Sequence, residues 1–156
     1  MNLQKHLIDL FLFNDSTNKK LLATIKQLED KQESIRLFSH LINCQYKWKA
    51  RLDQYPDVQS MSWWEPVYSV EELEEEWNKS LQPWLIYLGN NDEQALRTEV
   101  SFFGQDDTPW AAEPKDIILQ LNYHSIHHRG QIQTIIRTQG HTPDFVDYIA
   151  TKYRKL

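Results

Sequence analysis

The sequence predicts an all-α fold, a four-helix bundle, and three observations carry that prediction. Only four glycines and six prolines interrupt 156 residues rich in Leu, Ile, Lys, Glu and Gln, which favours helix over sheet. Apolar residues recur at helical spacing in four long stretches, with turn-forming residues between them. A hydrophobic content of 40% is enough to bury one core without disulfide or metal staples, so residues 1–156 are expected to form a single domain.

The first stretch places Leu3, Leu7, Leu10, Asn14, Leu21, Ile25 and Leu28 near one stripe. Its polar middle, Asn14 to Lys20, admits a break capped by Ser16 or Thr17; a single long helix whose solvated side dominates there is the expectation. A second helix runs from Lys31 to about Leu52, with Ile35, Leu37, Phe38, Leu41, Ile42, Tyr46 and Trp48 as its apolar surface. From Asp53 to Val70 the periodicity fails, and two prolines with the adjacent Trp63 and Trp64 suit a long crossover loop. The two tryptophans are read as pins over the bundle end rather than as a substrate platform.

Ser69-Val-Glu-Glu72 has the form of a capping box, and the acids that follow suit a helix N-terminus. The third helix carries Leu73, Trp77, Leu81, Trp84, Leu85 and Leu88 and stops at Gly89; Pro83 is expected to kink or split it. Leu96 to Phe103 and Thr108 to Trp110 flank Gly104-Gln-Asp-Asp107, a short hairpin or extended excursion. Pro114 opens the fourth helix and Gly140 closes it. Thr142 then caps a short terminal helix reaching Ala150.

Composition also excludes functions. One cysteine, Cys44, leaves no internal disulfide and suits a reducing compartment. No apolar run approaches the roughly 20 residues of a membrane span, and the N-terminal stretch has no small-residue cleavage site. A cytoplasmic protein with no membrane partner is expected. The net charge of −5, with basic residues scattered apart from Lys152 to Lys155, argues against nucleic acid as a partner.

The chemistry gathers in the fourth helix. Residues 117, 121, 124, 128, 131 and 135 form one seam reading Ile, Leu, His, His, Gln, Ile. Two imidazoles one turn apart on a buried face leave ring nitrogens needing partners, which a shared metal ion would supply. His127 falls on a polar line with Gln120, Tyr123 and Thr134 and is expected to face outward. His124 and His128 are therefore the pair, and a third ligand must come from elsewhere. His40 is the other histidine centred on a helix with an apolar side; taken alone it reads as a core histidine bonded to a backbone carbonyl.

Ser39-His-Leu-Ile-Asn-Cys-Gln-Tyr-Lys-Trp48, followed far downstream by His124-x-x-x-His128-Arg-Gly-Gln131, resembles the DinB/YfiT-like family of metal-binding four-helix bundles, over nearly the whole chain. The resemblance implies that His40, His124 and His128 hold one divalent ion at one end of the bundle, zinc or nickel first, with iron or another ion as alternatives. Three neutral imidazoles with open positions suit a catalytic ion rather than a structural one. Arg129 is expected to hold a carboxylate and Gly130 to permit close helix approach, while Gln131 either bonds a ligand or lines the pocket. Cys44, one turn from His40, is read as a packing residue before a fourth ligand.

Ser125 stands where a His-Glu-x-x-His protease carries its glutamate, and the ligand seams bear no acid. That suits direct activation of a bound thiol or water. Relatives in the family imply a thiol-cofactor transferase of the bacillithiol type acting on a small-molecule substrate. The alternatives are a metal-dependent hydrolase and a non-enzymatic metal-binding, stress-associated bundle. Trp48 and Arg51 are added as pocket candidates. Six tryptophans exceed what one bundle needs, so a homodimer is expected, set against Trp63, Trp64 and Trp110 merely capping the bundle ends.

Overall fold

The computed structural model describes residues 2–104 and 106–155. Four long helices carry the fold: α1 (Leu3–Ile25), α2 (Gln32–Leu52), α3 (Leu73–Asn90) and α5 (Pro114–Thr138). A single turn of helix, α4 (Glu93–Leu96), and an antiparallel hairpin, β1 (Val100–Phe103) with β2 (Pro109–Ala112), separate α3 from α5. The long helices pack in the cyclic order α1, α3, α2, α5, each touching two neighbours. No helix among the described residues is long and apolar enough to cross a membrane.

The polar middle of α1 does not break the helix, but neither is it a solvated side, because Asn14, Thr17 and Asn18 are buried. They are tolerated inside because they bond one another and α5. Asn18 Nδ2 donates to Ser125 Oγ at 2.9 Å and Asn18 Oδ1 accepts from Arg129 at 3.3 Å. Pro83 lies inside α3 without splitting it. Ser69 N–H and Oγ–H both donate to the Glu72 carboxylate, at 2.9 and 2.7 Å, so the expected capping contact forms one turn ahead of α3.

Two expectations fail nearby. The helix α4 was not foreseen, although Asp92 signals it by accepting from the Ala95 N–H at 2.9 Å. The terminal helix from Thr142 does not form: residues 141–147 lack regular structure and only a 3-10 turn, Tyr148–Thr151, follows. Asp147, just ahead of that turn, makes no side-chain capping bond and the turn buries no residue, so a segment this short has nothing to hold it helical. The hairpin turn includes Gln105, which lies outside the described residues.

The core is two apolar clusters with a polar layer between them. One gathers Leu21, Ile25, Phe38, Ile42, Trp77 and Ile136; the other gathers Phe11, Cys44, Trp84, Leu88, Leu96 and Ile118. The loop after α2 does not extend away from the bundle but doubles back along that helix. Lys47 Nζ donates to the Met61 carbonyl (2.5 Å), His40 Nδ1 to Trp63 (2.7 Å) and Asn43 Nδ2 to Pro66 (3.1 Å), while Ser39 Oγ accepts from the Tyr68 N–H (3.1 Å). This stitching carries Trp64 to the middle of the bundle, over His40, while the Trp63 ring packs on Trp48 and Arg51 in the last turns of α2.

Candidate metal centre

His40 faces α5 from the middle of α2, and His124 and His128 face back from the middle of α5. The cluster therefore sits at mid-height in the polar layer, not at one end of the bundle as expected. His40 and His128 are 6% and 7% exposed, and His124 is half-buried. His40 Nε2 lies 3.3 Å from His124 Nε2, which lies 2.8 Å from His128 Nε2. His127 is exposed, as its line on the helix requires, with its ring 5.0 Å from that of His128.

The outer nitrogens decide the tautomers. A carbonyl only accepts, so His40 Nδ1 at 2.7 Å from Trp63 O carries a proton, and His128 Nδ1 does likewise toward Gln131 Oε1 at 2.6 Å. Gln131 thus bonds a ring of the cluster, one of the two roles open to it. Desolvation lowers the pKa of all three histidines, that of His124 to about 4 with help from His128, His40 and His127. In the neutral rings Nε2 of His40 and of His128 are therefore bare lone pairs. His124 Nε2 has at most one proton to offer between them. At least one pair of lone pairs faces without a proton, a cost that a cation removes.

The two contacts of His124 have the spacing of neighbouring ligands on a divalent ion. An ion about 2.0–2.1 Å from each nitrogen spaces tetrahedral ligands about 3.3 Å apart, and octahedral ones about 2.9 Å apart. The two Nε2 separations fall at and just below those values. Cys44 Sγ lies 3.7 Å from either ring nitrogen of His40, and ligand atoms of Cys44, His40 and His124 come within 4.8 Å of one another. Burial pushes the Cys44 thiol up to about 12, against a smaller opposing effect of Lys47, so without an ion it is a neutral packing group of the apolar cluster. Imidazole lone pairs, unlike the thiol, need no deprotonation to bind an ion.

Trp64 covers the cluster. Its ring stacks on His40, centroids 3.8 Å apart and planes within 10°, and Arg36 lies over the ring at 4.4 Å. A cavity of about 380 Å³ opens beside it, lined by Glu33, Arg36, Trp64, His128 and Gln131 among others. Arg36 is held by both carboxylate oxygens of Glu33, at 2.6 and 2.7 Å. Neither Trp63, Trp64 nor Arg36 was singled out as part of this site; two adjacent tryptophans in an aperiodic loop were the signal available.

Trp48 and Arg51 lie apart from the histidines. The Arg51 guanidinium carbon sits 4.8 Å from Trp48, 4.9 Å from Trp63 and 5.1 Å from Phe102, an aromatic box tied to the cluster by the bond of His40 to the Trp63 carbonyl. Ser125 points to α1, where its Oγ accepts from Asn18. Among the described residues Arg129 holds no carboxylate: hydroxyl and amide oxygens of Thr17 and Asn18 receive it instead. Gly130 is exposed, and a Cβ there would meet nothing within 4 Å, so close helix approach is not its role.

Among models of known protein families, that of the DinB family matches residues 2–155. No curated protein and no solved structure matches the chain.

Proposed function

The chain belongs to the DinB family, and from that premise we propose that it is a metal-dependent enzyme whose His40, His124 and His128 hold one divalent ion, acting as a transferase with a low-molecular-weight thiol as co-substrate. The observation that carries the reading is that His124 Nε2 lies 3.3 Å from His40 Nε2 and 2.8 Å from His128 Nε2, with two Nδ1 protons already committed. A divalent ion there, zinc or nickel first, would supply Lewis acidity that lowers the pKa of a coordinated thiol or water. The protein's own contribution is orientation and shelter. Trp63 and Gln131 fix the rings, Trp64 shields one face of His40 from water, and Glu33 keeps Arg36 extended at the edge of the cavity. Burial holds the imidazoles neutral, as ligation requires.

Metal content of untagged protein, followed by a thermal-shift comparison of thiols with carboxylic acids and alcohols on the loaded protein, tests the proposal. One ion per chain and a thiol-specific shift support it. An ion without thiol preference favours a metal-dependent hydrolase, and an ion with neither turnover nor ligand favours a non-enzymatic metal-binding bundle.

A homodimer belongs to the proposal on narrower grounds than the tryptophan count. Trp77 and Trp84 are core residues and Trp48 and Trp63 flank Arg51, so internal packing absorbs most of the aromatic excess. Exposed Leu12, Ile126 and Phe145 offer a face for a second copy instead. A single 18.7 kDa species by sedimentation at micromolar concentration removes the dimer.

A further inference from the structure

On the face away from the histidines, α1 and α5 bury a cation that has no counter-ion among the described residues. Arg129 is 3% exposed, and its only hydrogen-bond acceptors among the described residues are Thr17 Oγ1 and Asn18 Oδ1, both reached by Nη1. A guanidinium presents five N–H donors, and a buried charge is costly unless it is paired. Desolvation lowers Arg129 to about 10, which still leaves it charged at neutral pH. The ring of Phe13, 5.5 Å from the guanidinium carbon, gives partial compensation only.

The same side chain lines a cavity of about 320 Å³, whose walls include Leu10, Phe13, Ile126 and Tyr148, with Asn14 as a polar neighbour. Tyr148 closes one side from the C-terminal 3-10 turn, edge-on to Phe13 at 5.2 Å. No cluster histidine lines it. A partly open cavity with apolar walls, the polar His6, Asn14, Asn122 and Tyr123, and the Arg129 guanidinium in its wall suits a ligand with an apolar body and one negative end. Guanidinium geometry matches a carboxylate through two parallel N–H bonds.

We infer that this cavity is a second site, separate from the candidate metal centre, that binds a small apolar carboxylate with its carboxyl on Arg129 and its body against Phe13 and Ile126. It does not depend on the metal reading.

Calorimetry and thermal shift with benzoate and hexanoate, against benzyl alcohol and hexanamide at equal ionic strength, test it. The acids should bind saturably, one per chain, and the neutral analogues should not. Asn14→Asp sets a carboxylate in the wall beside Arg129 and should weaken the acids about ten- to hundredfold while the chain stays folded. Ile126→Trp, at an exposed wall position, should weaken them by a similar factor with Arg129 untouched. Binding should be the same in chelated and metal-loaded protein. Equal response to acids and neutral analogues, or unchanged acid binding in Asn14→Asp, would overturn the inference. So would binding that requires the metal, which would move it to the histidines. Self-association broken by Ile126→Trp, with no acid binding, would also overturn it and give the cavity to a second copy.

Discussion

His40 and Trp63 are joined across the loop that follows α2: Nδ1 of the one lies 2.7 Å from the carbonyl of the other, so the loop backbone sets which nitrogen of His40 faces the cluster. With Nε2 bare on that side, His40 becomes equivalent to the two histidines of α5. His40→Ala, His124→Ala and His128→Ala should each lose stoichiometric metal by elemental analysis, and His127→Ala should keep it. Retention in His128→Ala with loss in His127→Ala would reverse the assignment of the α5 seam.

Removing metal should not remove the fold. The two apolar clusters lie on either side of the histidine layer and are built without it. Chelation should lower the melting temperature, since an ion that binds only the native state stabilises it by mass action, yet leave the helical circular dichroism at room temperature largely intact. Collapse of the helical signal on adding chelator would make the ion structural.

Gln131 accepts from His128 Nδ1 at 2.6 Å from one turn further along α5. Gln131→Leu deletes the acceptor and should weaken metal binding about ten- to hundredfold, with the stoichiometry at saturation unchanged. Gln131→Glu, which preserves the acceptor, should recover most of the affinity. Competition against a chromophoric chelator measures both.

The metal-free protein should be acid-sensitive in a defined window. The pKa values of His40, His124 and His128 lie below the ordinary 6.5, that of His124 at about 4, desolvation being the first cause. Below about pH 6.5 the unfolded chain therefore binds more protons than the folded one. Stability from keeping these rings neutral is complete above that pH and is lost as pH falls toward 4. Urea midpoints should decline across this range, less steeply in His124→Asn; a flat profile would mean the rings are not held neutral.

Asn18 serves two buried groups of α5 at once, Ser125 and Arg129. Asn18→Leu leaves both with a lost partner and should cost about 1–3 kcal/mol in urea unfolding, more than a volume-conserving change at an apolar core position. No loss relative to the parent protein would mean the polar layer is dispensable.

Helix existence was legible because helical periodicity and the punctuation at Pro114 and Gly140 are local properties of the chain. The pairing of His124 with His128 and the outward turn of His127 followed from the same geometry. What the periodicity left out depends on packing between distant elements. Asn14, Thr17 and Asn18 look solvated until Arg129 and Ser125 arrive from over 100 positions away, Ser125 lying 107 positions beyond Asn18. Trp63 and Trp64 carry no periodic signal, so their return to His40 could not be read from spacing. Trp48 and Arg51 share a helix with His40, but the hairpin residue Phe102 and the loop residue Trp63 claim them for a box of their own.

Three of the five hydrogen bonds that lash residues 61–68 to α2 end on main-chain carbonyls of the loop, those of Met61, Trp63 and Pro66. The loop is thereby addressed by count rather than by identity. Exchanging its side chains leaves the oxygen opposite His40 where it was, whereas inserting one residue between Met61 and Trp63 presents a different oxygen and turns the ring. What hangs over the histidines, at present the indole of Trp64, can be rewritten while the register that aims them stays the same.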